Sequence, residues 1–199
     1  MSDCGCGPTG VDTAEQRRVL RIALALNAAM FVIEIAAGWA AHSLGLIADG
    51  LDMLADASAY VIALAALTRG ARFKANAATL SGTLLLLLGV LVLVEAVLRI
   101  EGGEPPEGLV MIGVAAVAAG VNATVLRMLG RHREDGVHLR ATWIFTRVDV
   151  IANVAVVVSG IAVMLTGVRY IDLVVGSAIG LYVIKEAVEI LMDAKAARR

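Results

Sequence analysis

The chain has 199 residues, of which 59% are hydrophobic and 18% charged, and its mean hydropathy is +0.84. Soluble domains contain about 45–50% apolar and about 25% charged residues, so the composition excludes an ordinary water-soluble domain. The net charge of −1 excludes a polybasic nucleic-acid binder. We therefore expect the excess apolar surface to face lipid, and we expect no nucleic acid as a partner.

Six apolar stretches follow one another along the chain, separated by polar clusters. A membrane-spanning helix takes about 20 residues, and each stretch is long enough. We predict spans at 19–40, 44–67, 78–100, 109–129, 141–166 and 170–192. Residues 1–18 are expected to form a polar tail, 19–193 a six-helix transmembrane domain and 194–199 a short second tail. The predicted fold class is an all-α integral membrane protein with six transmembrane helices.

The basic residues predict the orientation of the six spans. Of the 17 Lys and Arg residues, 13 lie in the tails and loops on one side of the predicted membrane. Only Arg99 and Arg169 lie on the other side, and Arg147 and Lys185 lie inside spans. Because loops rich in Lys and Arg stay in the cytoplasm, we expect both termini to be cytoplasmic.

Three acidic residues lie inside the second predicted span: Asp49, Asp52 and Asp56. A charge at a helix centre costs about 2.5–3.5 kcal/mol on the insertion scale, so such residues need a physical reason. At about 100° per residue, the three carboxyl groups share one stripe of the helix, where they repel one another unless something positive lies between them. Protons and a divalent cation are the two candidates.

The fifth predicted span carries a matching pair, Asp149 and Asn153, one helical turn apart. The second and fifth spans run in opposite directions. With a rise of about 1.5 Å per residue, both pairs of polar residues fall near the middle of a core about 30 Å thick. The two spans are therefore predicted to share a site in the bilayer. The depths alone do not give which residue of the second span faces which residue of the fifth.

Other polar residues in the spans have structural interpretations. Asp49 follows Ala48 and precedes Gly50, and a hydrogen bond to a neighbouring helix accounts for it. Arg147 is the cation nearest to Asp149 in sequence but points to another face; it pairs with Glu34 or Glu95, or extends its head group to the membrane surface. If Glu34 does not pair with Arg147, it is expected either to form a hydrogen bond to another helix or to be part of an ion pathway.

Two features of the sixth span are also expected to be structural. Gly176 and Gly180 form a GxxxG motif, which is typical of close helix packing. Lys185 and Glu189 are spaced as an ordinary ion pair across one turn of a helix.

Residues 43–56, SLGLIADGLDMLAD, resemble the second-span signature of the cation diffusion facilitators, roughly S-L-x-L-x-A-D-x-x-[HD]-M-x-x-D. The stretch from Asp149 to Asn153 is similar to the core of that family's fifth span, and the six spans agree in number and order. The resemblance implies a secondary active transporter without enzymatic activity or a resident cofactor. Such a protein exchanges cytoplasmic Zn²⁺, or Cd²⁺, Mn²⁺ or Fe²⁺, for protons by alternating access in a cell membrane, here a prokaryotic inner membrane.

The resemblance implies that Asp52, Asp56 and Asp149 are metal ligands. The family's usual fifth-span histidine falls on Phe145, which cannot bind metal. Asn153 is predicted as the fourth metal-site residue, with water or Asp49 as other oxygen donors. An oxygen-rich site is expected to discriminate less sharply among divalent ions than one with an imidazole.

The chain departs from the family pattern after the sixth span. Most members continue into a cytoplasmic domain, whereas this sequence stops within ten residues of its last apolar turn. It resembles a short form that lacks that domain. We therefore expect a homodimer formed through the transmembrane helices, to which the glycines of the sixth span contribute unless they pack within one protomer.

Two other functions compete with transport. A membrane scaffold or regulator would bind metal weakly and tolerate loss of the acids. A CDP-alcohol phosphotransferase needs D-x-x-D-G-x-x-A-R followed by G-x-x-x-D-x-x-x-D. Here Asp52 is followed by Met53 and the later motif is absent, which disfavours that enzyme.

Overall fold

The computed structural model describes residues 14–65, 71–102, 105–130 and 137–196, with side chains except at residues 16, 65, 71–74 and 137–145. These residues form six α-helices without a strand among them. In chain order they are α1 (Ala14–Ala40), α2 (Leu44–Ala65), α3 (Ala71–Glu101), α4 (Gly108–Gly130), α5 (Val137–Thr166) and α6 (Tyr170–Ala196).

The all-helical class and the six predicted helices are confirmed. Five of the observed helices cover a whole predicted span and run past it at one end or both, whereas α2 ends at Ala65 and residues 66 and 67 of its predicted span lie outside the described part. Helix α1 begins at Ala14, inside the predicted tail 1–18, and α6 continues to Ala196. The division into two tails and a domain of 19–193 stays a prediction, with residues 1–13 and 197–199 outside the described part.

Four helices, α1, α3, α4 and α5, contain stretches long and apolar enough to cross a membrane. Their outward faces carry exposed leucine, isoleucine and valine side chains, such as Leu87 and Leu91 on α3. Helices α2 and α6 contain more acidic residues, and α2 is buried along most of its first three turns. The acidic residues of α2 thus lie inside a bundle with an apolar outer surface, as expected for a multi-pass membrane protein.

Helix α2 lies at the centre of the bundle and contacts all five other helices. The most extensive packing is between α4 and α5, α1 and α2, and α3 and α6. Gly50 lets α1 approach α2 closely, since a Cβ atom there would lie 3.2 Å from the Cβ of Glu34. The central position of α2 brings its acidic stripe within reach of side chains from several neighbours.

Helices α2 and α6 begin at the same end of the bundle and run parallel. There Ser43 caps α2, because its Oγ accepts a hydrogen bond from the backbone N–H of Leu46 at 3.1 Å. Asp172 of α6 accepts hydrogen bonds from the Ser43 hydroxyl (2.8 Å) and the N–H groups of Leu44 (2.7 Å) and Gly45 (3.0 Å). We call this contact the α2–α6 joint.

The GxxxG motif of α6 packs inside this protomer. A Cβ atom at Gly176 would lie 2.6 Å from the backbone carbonyl carbon of Leu44, and one at Gly180 would lie 3.1 Å from Val92 of α3. Of the two alternatives for these glycines, the structure shows packing within one protomer, because both positions lie against neighbours in the same chain. The predicted ion pair of Lys185 and Glu189 is confirmed at 3.5 Å.

Candidate metal centre between α2, α5 and α6

The acidic stripe of α2 points into the bundle. The side chain of Asp49 is fully buried, and Asp52 is 4% exposed. Asp56 is half-buried, although its Oδ2 atom has no exposed surface. None of the three lies on the lipid-facing surface, which agrees with the cost of exposing a charge to hydrocarbon.

Asp149 of α5 meets two residues of this stripe. Its carboxyl group lies within hydrogen-bonding reach of both Asp52 and Asp56, and it is 4% exposed. The contact arises where the antiparallel helices α2 and α5 pack together and Asp149 lies beside both residues. The three residues to which the resemblance assigns metal binding thus lie together in the interior.

Carboxyl groups in contact with one another need a positive species between them. An ionised carboxylate can only accept hydrogen bonds, so two carboxyls in contact without a cation must hold a proton. The Oδ2 atoms of Asp56 and Asp149 are buried and accept no hydrogen bond. Buried acceptors without donors are costly, so these atoms mark where a cation would be stabilised.

The carboxyl groups contact one another in pairs rather than around one point. Within the described part of the chain, no three His, Cys, Asp or Glu side chains are already arranged to hold a metal ion. Binding an ion between Asp52, Asp56 and Asp149 therefore requires their side chains to turn toward a common point.

Asn153 lies one turn along α5 and has a different partner. Its amide nitrogen donates hydrogen bonds to both carboxylate oxygens of Asp49, each at 2.8 Å. Its amide oxygen accepts a hydrogen bond of 3.4 Å from Asn122 of α4. The interhelical hydrogen bond expected for Asp49 is present, and Asn153 supplies it, so the role of Asn153 as a metal ligand stays a prediction.

Glu34 of α1 belongs to the same layer of buried polar side chains as Asp49 and Asn153. Its side chain is fully buried beside Asp49, and neither carboxyl oxygen accepts a hydrogen bond. The other acid considered for Arg147, Glu95, instead pairs with Arg99 of its own helix at 2.8 Å. Thus α2 carries two polar layers, with Asp49 in one and Asp52 and Asp56 in the other.

Sequence reasoning missed Glu186 of α6. Its carboxyl group is within hydrogen-bonding reach of Asp52 and close enough to Asp56 and Asp149 to interact with their charges. The sequence alone does not separate Glu186 from Glu189 and Asp193 of the same helix, because the face of α6 that packs on α2 is known only from the folded bundle.

The backbone of α5 includes residue 145, four residues before Asp149, while the side chain of Phe145 lies outside the described part of the structure.

Six helices around an interior cluster of carboxyl groups define a multi-pass membrane protein with a candidate cation site. The model of the cation efflux transmembrane domain matches residues 20–197. The chain belongs to this cation efflux family, which is a family of transporters rather than enzymes.

The chain is similar to several curated bacterial proteins. It is 29% identical over 192 residues to the metal cation efflux system protein CzcD of Cupriavidus metallidurans, covering 90% of this chain and 61% of that protein. It is 27% identical over 191 residues to the zinc transporter ZitB of Escherichia coli, covering 88% and 60%. Identity to the cadmium, cobalt and zinc/H(+)-K(+) antiporter of Bacillus velezensis is 23% over 202 positions, covering 89% and 63%. The chain spans about three-fifths of the length of these relatives.

Proposed function

We propose that this protein exports a divalent transition-metal cation from the cytoplasm in exchange for protons, by alternating access. Zn²⁺ is the first candidate, followed by Cd²⁺, Mn²⁺ and Fe²⁺. Metal efflux is supported by the family of the chain and by the metal cation efflux protein and the zinc transporter among its relatives. The observation that carries the proposal is the meeting of Asp149 with both Asp52 and Asp56 inside the bundle.

Proton exchange follows from the chemistry of these carboxyl groups. In the unloaded arrangement, paired carboxyls hold protons between them. A metal ion binds carboxylates in their deprotonated form, so loading the site releases protons. An acidic outer side then favours release of the metal, because protons compete for the same oxygens.

The orientation and assembly belong to the same proposal. The excess of Lys and Arg in one set of loops favours both termini in the cytoplasm, and the similarity to bacterial relatives favours a location in the prokaryotic inner membrane. A homodimer through the transmembrane helices is proposed as well, with a contact other than Gly176 and Gly180, which pack within the protomer.

Transport in proteoliposomes tests this function. Purified protein is reconstituted with a metal-sensitive dye inside, and uptake of Zn²⁺, Cd²⁺, Mn²⁺ and Fe²⁺ is followed with and without a pH gradient. The matched control is Asp149→Asn, which keeps the side-chain shape and removes the charge. We expect gradient-dependent uptake of at least one ion by the native protein and none by the control.

Two results would contradict the proposal in different ways. Uptake that is unchanged when the pH gradient is collapsed would remove proton exchange but keep metal transport. Metal binding without uptake of any ion would favour the scaffold or regulator instead.

A further inference from the structure

Glu186 provides a fourth carboxyl group at the candidate metal centre. It extends from α6 toward Asp52 and interacts electrostatically with Asp56 and Asp149. Each of the three acids predicted from the sequence therefore has Glu186 as a neighbour. Helix α6 places it there because α6 packs along α2 from the α2–α6 joint onward.

Buried oxygens without hydrogen-bond donors indicate that this group of acids has a ligand. Asp149 is 4% exposed, and its Oδ2 atom accepts no hydrogen bond. The buried Oδ2 of Asp56 is in the same condition. Asp172 of the α2–α6 joint, by contrast, accepts three hydrogen bonds and has no such unsatisfied oxygen.

A cleft between α2 and α6 adjoins the same side chains. Its volume is about 140 Å³, and Asp56 and Glu186 form part of its wall together with Glu189 and Asp193. This space admits several water molecules. Glu186 thus lies between the cleft and the buried carboxyls of Asp52 and Asp149.

The neighbouring acid Glu189 shows what a non-binding carboxylate in this cleft looks like. It pairs with Lys185 at 3.5 Å, and its side chain is 43% exposed. Glu186 instead contacts a buried carboxyl group on another helix. Glu186 also lies near Lys185 and Tyr182 of its own helix, but unlike Glu189 it reaches a buried acid of the candidate metal centre.

We propose that Glu186 is a ligand of the transported cation and supplies the fourth oxygen donor of the site. This inference rests on the proposed function. In the family pattern the fourth position is a histidine, and here it falls on Phe145. A carboxylate from α6 restores four protein ligands and makes all of them hard oxygen donors, which suit Mn²⁺ better than an imidazole does.

Calorimetry on the full chain in detergent tests the assignment, with Zn²⁺ and Mn²⁺ as the probes. The variant Glu186→Gln removes the charge with almost no change of shape, and Glu189→Gln is the matched control in the same cleft. We expect Glu186→Gln to weaken binding of both ions about tenfold or more and Glu189→Gln to stay within about twofold of the native protein. Native affinity in Glu186→Gln would overturn the assignment.

A second variant separates a ligand from a residue that only supports the fold. Glu186→His replaces an oxygen donor with a nitrogen donor and should raise the affinity for Zn²⁺ relative to Mn²⁺ about tenfold. A structural role predicts an unchanged ratio of affinities, and that result would count against Glu186 as a ligand. Size-exclusion elution and thermal unfolding verify that the compared proteins are folded.

Asp149→Asn in the same assay distinguishes this inference from the proposed function. If Asp149→Asn loses binding while both Glu186 variants behave like the native protein, only the role of Glu186 is wrong. If Asp149→Asn binds both ions with native affinity, the proposed site itself is wrong.

Discussion

Two of the buried polar contacts of helix α2, the α2–α6 joint and the contact of Asp52 and Asp56 with Asp149, differ in the number of hydrogen-bond donors that they offer to a carboxyl group. At the α2–α6 joint, both oxygens of Asp172 accept hydrogen bonds, three in total. Two turns or more further along, Asp56 and Asp149 contact other carboxyl groups, and each has one buried oxygen without a donor. We therefore propose that the aspartates at these two places differ in function according to whether hydrogen-bond donors already compensate their charge.

The joint explains why a carboxylate is tolerated at the start of α6. The first backbone N–H groups of a helix have no partner within the helix, and its N-terminus favours a negative charge. Asp172 of α6 accepts hydrogen bonds from the first N–H groups of α2 and places a carboxyl group at the N-terminus of that helix. We infer that Asp172 stabilises the fold, whereas Asp52, Asp56 and Asp149 serve binding.

The largest effect is expected when a binding carboxylate is removed. Asp52→Ala, Asp56→Ala and Asp149→Ala each delete a ligand and a charge, so we predict that metal affinity falls about 100-fold or more. Titration calorimetry of the folded variants measures this loss. A variant with native affinity would show that its residue is not a ligand and does not belong to the binding region.

A loss of stability without a loss of affinity is expected at the joint. Asp172→Ala leaves the N–H groups of Leu44 and Gly45 without acceptors, so we predict a decrease of about 2–4 kcal/mol in the free energy of unfolding. Thermal unfolding in detergent reports it. An unchanged midpoint would indicate that water replaces the carboxylate at this end of the bundle.

Close helix packing at the joint gives a smaller expected effect. Gly176→Ala places a methyl group against the backbone of Leu44 and should cost about 1–3 kcal/mol of stability. The control is Gly113→Ala on α4, where a Cβ atom would meet nothing within 4 Å. Because alanine favours a helix over glycine by roughly 0.5–1 kcal/mol, the control should be neutral or slightly stabilised. Equal effects at both positions would argue against tight packing of α6 on α2.

The smallest predicted effect is a change in metal preference at position 145. Phe145→His adds a nitrogen donor one turn before Asp149, so we expect stronger binding of Zn²⁺ relative to Mn²⁺. The ratio of the two affinities, measured by calorimetry on folded protein, is the readout. The native ratio in Phe145→His would mean that the fifth-span alignment with the family has to be abandoned.

Much of the fold could be predicted because hydrophobic length and polar breaks are local properties of a sequence. The juxtaposition of α2 and α5 also followed from the helical rise and the alternating direction of the spans. The partner of Asn153 could not be predicted, because an error of one turn in depth exchanges Asp49 for Asp52. In the structure Asn153 binds Asp49, and Asp149 meets Asp52.

Contacts made by α6 were harder to predict. The position of Glu186 depends on how α6 is rotated about its axis against α2, and one residue of error turns a side chain by about 100°. Asp172 was missed for a related reason, since its donors lie at the start of α2, about 130 residues away in sequence. Both residues become recognisable only when the helices are packed.

Thermal unfolding of Asp149→Asn and Asp172→Asn, with and without excess Zn²⁺, tests the central distinction in one measurement. An ion that binds only the folded protein raises its unfolding midpoint. We predict that Asp149→Asn has a native or higher midpoint without Zn²⁺ and no increase with it. Asp172→Asn should have a lower midpoint and keep the increase. A Zn²⁺-dependent increase of native size in Asp149→Asn, or its loss in a folded Asp172→Asn, would contradict the assignment of one region to binding and the other to stability.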